Sequence, residues 1–157
     1  MEVSKQTVRK QLCSGLLALA LIASLGGVAG AQQKTEPTLY KRLGGYDAIA
    51  AVVDDFIDRL VADKQVSRFF TGASTDSKKR IRQLVVDQIC GATGGPCVYI
   101  GRSMKAAHEG LGINESDWQV SVGHLIASLD KFKVPQKEKD ELLGIVSSLK
   151  PDIVTGK

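Results

Sequence analysis

Residues 94–108 read GGPCVYIGRSMKAAH, a glycine-rich loop that runs directly into a short segment ending in a histidine. The two adjacent glycines allow a sharp corner, because glycine reaches positive φ at no steric cost. The loop is long for a plain bundle of helices. His108 stands alone between Met104 and Leu111, where an ordinary hydrophobic core would prefer leucine. The stretch therefore indicates a helical protein in which one histidine has a role other than filling the core.

On both sides of this stretch, apolar residues recur at spacings of three and four, which is the pattern of helices that bury one face. The predicted helices cover 39–43, 46–61, 77–90, 103–109, a long segment between the cap Asn114 and Pro135, and 136–149, which is expected to be the last helix and to be closed by Pro151. No segment alternates as a strand would. The sequence thus predicts an all-α domain over residues 38–157, preceded by a short polar lead-in at 32–37.

The first 31 residues have the three parts of a secretory signal peptide. Basic residues precede an apolar run at 16–25, and Ala29-Gly30-Ala31 matches the small-x-small pattern that a signal peptidase reads. The apolar run is shorter than the roughly 18–20 residues that span a bilayer. We therefore predict cleavage after Ala31, export to the periplasm and no stable membrane insertion of the mature chain. An uncleaved membrane anchor is the alternative.

Charge gives no reason to expect a nucleic-acid partner. The chain has 21 basic and 17 acidic residues, and half of the net charge of +4 lies before residue 32. The basic run Lys78-Lys79-Arg80 is short and falls in a predicted helix. Nucleic-acid surfaces usually have a larger basic face with interleaved aromatic residues. This run is interpreted as a solvated helix face.

Two cysteines, Cys90 and Cys97, remain after the predicted cleavage, with three glycines and one proline between them. Export would bring them into an oxidising compartment, and the loop is flexible enough to close a bridge. Sequence alone does not give the Cβ geometry that a disulfide needs, so bridged and free cysteines stay open as equal alternatives. A zinc site is disfavoured, because two thiolates and two distant histidines lack the usual paired spacing.

Taken in order, these segments resemble the group I truncated haemoglobins. The similarity is carried by the opening LYKRLGG at 39–45, the aromatic corner Phe69-Phe70, and the glycine loop followed by Tyr99, Gly101, Met104 and His108. It extends from about Tyr40 to Val154, nearly the whole predicted mature chain. The resemblance implies a truncated globin-like two-over-two helical sandwich around haem b.

The resemblance also implies roles for individual residues. His108 would be the proximal iron ligand through a neutral imidazole nitrogen, and His124 would be structural. The other residues implied are Phe70 packed flat against the porphyrin, Tyr99 and Met104 on the proximal side, and Arg102 or Lys105 paired with a haem propionate. The alternatives are a hydrogen-bonded core histidine, an ordinary core phenylalanine and solvated surface charges.

On the predicted distal side the sequence departs from the family pattern. Many group I members have a tyrosine directly after the phenylalanine that matches Phe56, and its hydroxyl donates a hydrogen bond to dioxygen. Here that position is Ile57, which donates nothing. On the next helix two registers stay open, with either Lys78 and Arg82 or Ser77 and Ile81 facing the haem; the apolar stripe, continued by Val85, favours Ile81. We expect an apolar distal pocket, fast dioxygen dissociation, and selectivity shifted toward carbon monoxide and nitric oxide.

The function implied by the resemblance is reversible binding of dioxygen, carbon monoxide or nitric oxide, more a carrier than an enzyme. One alternative is a haem enzyme that removes nitric oxide or peroxide. An apolar distal pocket argues against peroxide turnover, which benefits from an acid–base group, and either turnover would need an external reductase as electron donor. The other alternative is a cofactor-free helical interaction module.

Overall fold

The computed structural model describes residues 36–156, so the predicted signal peptide and most of the lead-in lie outside the described residues. The described part contains seven α-helices and no β-strand, which confirms the predicted all-α class. In chain order the helices are α1 (Leu39–Arg42), α2 (Gly45–Ala62), α3 (Thr75–Ala92), α4 (Met104–His108), α5 (Glu115–Lys131), α6 (Gln136–Ser148) and α7 (Lys150–Ile153). Within residues 36–156, no helix has both the length and the hydropathy of a membrane span.

Helix α2 is the centre of the fold, because it packs against α3 and also against α5. Its apolar residues point in two directions and enter two core clusters. The first core cluster consists of Ile49, Ala50, Val53, Ile57, Leu60, Val66 and Val86. The second core cluster consists of Leu39, Val52, Leu125, Leu129 and Leu142. Burying apolar surface on two sides fixes α2 firmly between α3 and α5.

The structure refines the predicted elements at two places. The apolar corner after α2 is a short 3-10 helix, Ser67–Phe70, whose last residue is the predicted porphyrin contact. Helix α6 ends at Ser148, close to the predicted bound of 149, but it is not the last helix as predicted, since Pro151 lies inside the first turn of α7. Proline is tolerated there because the backbone N–H groups of a first helical turn have no intrahelical partner.

A buried carboxylate ties the start of α5 to the segment that follows α2. Asp117 is 1% exposed and accepts hydrogen bonds from the Asn114 backbone N–H (3.1 Å), Gln65 Nε2 (3.0 Å) and the Arg68 guanidinium (2.7 Å). Burial acts to raise the pKa of Asp117, but the hydrogen bonds from Gln65, Asn114 and Arg68 together outweigh it and hold the pKa below the ordinary value. The carboxylate is therefore charged and fully partnered.

Substitution of Asp117 by alanine is expected to lower the free energy of unfolding by about 2 kcal/mol, because it leaves several donors without their acceptor. Urea unfolding followed by circular dichroism measures this, with the exposed Asp58→Ala as a control that should change stability by less than about 0.5 kcal/mol. Because the folded pKa of Asp117 is lowered, the difference between wild type and variant should be full above about pH 4 and shrink as the pH falls further. A gap that widens in acid would contradict this assignment.

Candidate functional site

His108 is the last residue of α4, a five-residue helix whose start is capped by Ser103 through the Ala106 backbone N–H. The imidazole is half-buried, and its Nδ1 lies 2.8 Å from the backbone carbonyl oxygen of Met104. A carbonyl oxygen can only accept, so Nδ1 must be the donor. The neutral ring then has its free lone pair on Nε2, which makes no hydrogen bond to any residue among 36–156. This is the state in which histidine binds a metal ion.

The loop before α4 is closed by a disulfide. Cys90, at the end of α3, and Cys97 are bridged with Cα atoms 5.7 Å apart, so the alternative left open by the sequence is resolved in favour of the bridge. Gly95 lies inside the bridged loop, where a Cβ would come within 2.5 Å of the Tyr40 ring and 2.7 Å of both the carbonyl oxygen and the sulfur of Cys90. The loop is thus packed tightly onto α1 and α3.

The second half of the same loop carries the remaining predicted proximal residues. Tyr99 is half-buried, and its hydroxyl donates to the backbone carbonyl of Arg102 at 2.6 Å, which turns the ring back along the loop. Met104 is half-buried, while Arg102 and Lys105 are exposed and form no ion pair with any described residue. These side chains lie on the short stretch of chain that leads to His108, and neither cation is paired with a described residue.

The other side of α4 is held by the C-terminal segment. Helix α7 packs against α4. Beyond α7, the backbone N–H groups of Thr155 and Gly156 both donate to the carbonyl oxygen of Ile113, at 3.0 and 2.8 Å. Lys150 of α7 also pairs with Glu115 at 2.8 Å. Helix α4 is therefore positioned by a crosslinked loop before it and by the C-terminal segment beside it.

The predicted distal residues lie on α2, α3 and the 3-10 helix. Ile57 belongs to the first core cluster, and Phe70 and Val85 pack against the same cluster. Ile81 lies on α3 with 37% of its surface exposed. The structure thus groups Ile57, Phe70 and Val85, whereas His108, Tyr99 and Met104 form a separate group on the α4 segment. Their roles toward a cofactor remain predictions.

A cleft of about 430 Å³ opens between α2 and α3. Its walls consist of Asp54, Ile57, Asp58, Lys78, Lys79, Arg82 and Gln83. Arg82 makes two hydrogen bonds to the Asp54 carboxylate, at 2.6 and 2.9 Å, and they hold the pKa of Asp54 below its ordinary value. Ser77 instead takes part in the cap of α3, where its backbone N–H donates to Ser74. Of the two registers predicted for α3, the one with Lys78 and Arg82 places both residues beside Ile57.

Sequence reasoning missed two parts of this arrangement. Met104 was expected to contribute its side chain, yet its backbone carbonyl is what orients the imidazole of His108. The spacing of four residues within a short helix was the available signal. The contact between Ile113 and the C-terminal segment joins residues more than forty positions apart in the chain, and the sequence contains no local pattern that reports it.

Within residues 36–156, seven helices, a half-buried imidazole with an unused Nε2 and a crosslinked loop leading to it are the features of a globin-like protein. The sequence model of the bacterial-like globin family matches residues 38–155. A group 1 truncated haemoglobin of Mycolicibacterium paratuberculosis is 38% identical over 126 residues, which cover 80% of this chain and 90% of that relative. The chain therefore belongs to the bacterial-like globin family and, within it, to the group 1 truncated haemoglobins.

Solved structures show the same fold. The truncated haemoglobin of Tetrahymena pyriformis superposes with a TM-score of 0.70 at 26% identity, covering 77% of this chain and all of that one. The 2/2 haemoglobin of Synechococcus, solved with covalently attached haem, gives a TM-score of 0.68 at 31% identity and covers 75% of this chain and 98% of that one. The predicted two-over-two globin fold is thus confirmed.

The described residues fit a haem group on three counts. Nε2 of His108 carries an unused lone pair. Large apolar side chains on α3 and on the loop before α4 are exposed to solvent, with Ile81 at 37%, Val98 at 75% and Ile100 at 77% exposure. A bound apolar ring system would bury such side chains. Exposed cations next to the histidine suit the carboxylates of propionate groups.

Proposed function

We propose that this chain holds the iron of haem b through Nε2 of His108 and binds dioxygen, carbon monoxide and nitric oxide reversibly on the opposite face. The observation that carries the proposal is the hydrogen bond from Nδ1 to the Met104 carbonyl, which fixes both the tautomer and the orientation of the ring. Haem b, when bound, supplies an iron atom with one open position for a diatomic gas. The protein supplies the imidazole and an enclosing apolar wall.

The wall opposite His108 is assigned to Ile57, with Phe70, Val85 and Ile81 beside it, while Tyr99 and Met104 enclose the proximal side. Ile57 is buried and carries no donor, so it offers a polarised gas no hydrogen bond. Arg82 lines the same cleft as Ile57, but its guanidinium is paired with the Asp54 carboxylate. The four apolar side chains themselves offer no hydrogen bond and no acid or base for peroxide chemistry, so they favour gases that need little hydrogen bonding. Reversible gas binding is the function that these residues support best.

Replacing Ile57 by tyrosine should slow dioxygen dissociation about tenfold or more, because a hydrogen bond to a strongly polar acceptor contributes roughly 1–3 kcal/mol. Stopped-flow mixing of the dioxygen complex with carbon monoxide measures the rate. Ile57→Phe is the matched control, with the ring but not the hydroxyl, and should leave dissociation fast. A wild-type rate as slow as that of the tyrosine variant would mean that a polar group already reaches the gas.

Export is proposed on the pattern in residues 1–31 together with the bridge between Cys90 and Cys97, because disulfides persist in oxidising compartments. The mature protein would then begin at Gln32 and act in the periplasm. A separate reductase would return the iron to its ferrous, gas-binding state. Arg102 and Lys105, both exposed beside the histidine, are proposed to pair with the haem propionates.

A further inference from the structure

The cleft between α2 and α3 carries a net positive charge. Its walls carry three cations, Lys78, Lys79 and Arg82, against the two carboxylates of Asp54 and Asp58. Arg82 and Asp54 neutralise each other through paired hydrogen bonds. The two lysines form no ion pair with any residue in the described part of the chain. One unbalanced positive charge therefore remains in the cleft.

Lys78 is the member of this group that is best placed to act on a ligand. It is half-buried, whereas Lys79 is exposed. Lys78 and Val85 lie seven residues apart on α3, with Ile81 between them at a spacing of three, so all three share one side of the helix. The same cleft is lined by Ile57. Lys78 therefore lines the same cleft as Ile57, the residue assigned above to the wall opposite His108.

We infer that Lys78 makes this cleft the entry path for small univalent anions, of the size of azide or nitrite, toward the haem face opposite His108. The inference rests on the proposed function, which puts that face beside Ile57. A cation lining a concave, partly buried path raises the local concentration of anions and their association rate. Asp58 is the one carboxylate in the cleft that opposes this, and it forms no ion pair with a described residue. Neutral gases gain nothing from the charge.

The test uses azide as the probe and the ferric, haem-loaded protein. Stopped-flow absorbance should give an association rate constant for wild type that falls as ionic strength rises, because salt screens the lysine. Lys78→Met, which keeps the chain length and removes the charge, should lower that constant about fivefold at low salt and remove most of its salt dependence. Lys64→Met removes an exposed lysine outside the cleft and should change neither.

Carbon monoxide binding to the ferrous protein distinguishes the effect of the Lys78 charge from an effect of side-chain shape, because the gas is neutral. If charge alone acts, Lys78→Met should bind carbon monoxide at a rate within about twofold of wild type. Equal azide rates in wild type and Lys78→Met would overturn the inference while haem binding through His108 stands. The inference would also be overturned if the ferric wild-type spectrum showed a nitrogen ligand besides His108 and Lys78→Met lacked it, because the lysine would then be an iron ligand. Failure of wild type to take up hemin would remove the proposed function as well.

Discussion

Once loaded with hemin, the His108→Ala variant should lose haem at least about a hundredfold faster than wild type. Its Soret spectrum should lack the signature of an axial imidazole. Loss of a partner that merely orients a metal-bound histidine already costs 10–100-fold in affinity, so loss of the ligand itself should cost at least as much. Transfer of haem to apomyoglobin measures the rate. Added imidazole should restore the axial signature, because it refills the space that the side chain vacates.

His124→Ala is the matched control. The Nε2 atom of His124 lies 3.0 Å from the Asp63 carboxylate, which also accepts from the backbone N–H groups of Gln65 and Val66. This histidine therefore has a structural partner, whereas Nε2 of His108 has none among the described residues. We expect His124→Ala to lose some stability and to keep its haem. A His108→Ala protein that binds hemin unchanged would refute the assignment of the ligand.

Opening the disulfide should produce the second large effect. The bridge between Cys90 and Cys97 closes a short loop, and loss of the crosslink should lower the free energy of unfolding by about 2.5 kcal/mol. Cys97→Ser is the better variant, because Cys90 is fully buried and its replacement would also disturb the core. Haem should leave this variant faster than wild type, since the same loop runs into α4.

Reductant provides the internal control for the disulfide. In oxidising buffer, urea unfolding should separate wild type from Cys97→Ser by the full difference, and in dithiothreitol the two proteins should unfold at the same urea concentration. Thiol labelling confirms the state of the cysteines in each sample. If wild type is equally stable with the bridge closed and open, the crosslink does not hold the loop and this account of it is wrong.

The helices that the sequence predicted best are those with a long apolar repeat. The repeat in residues 46–61 yields α2, since every third or fourth side chain is buried there. Helix α3 starts earlier than predicted, at Thr75, because Ser74 caps a stretch whose polar composition looks like a turn. Local patterns thus locate helices well and their first turns less well.

The partners of the site residues were harder to predict, because they come from distant parts of the chain. The family resemblance pointed to His108 and Ile57, but it did not show that Arg82 is held by Asp54, 28 residues earlier. It also did not show that Asp117 collects donors from three places. Such pairs depend on how helices cross, and no spacing within one helix encodes that.

The acceptor that orients His108 has a consequence for electron donation. A carboxylate there would make the imidazole more basic and push electron density toward a bound metal, whereas the neutral peptide oxygen of Met104 does so only weakly. Weak donation favours the reduced metal and does not assist cleavage of an oxygen–oxygen bond. Because the acceptor belongs to the backbone, replacement of the Met104 side chain leaves it in place. The strength of electron donation by His108 therefore does not depend on which side chain occupies position 104.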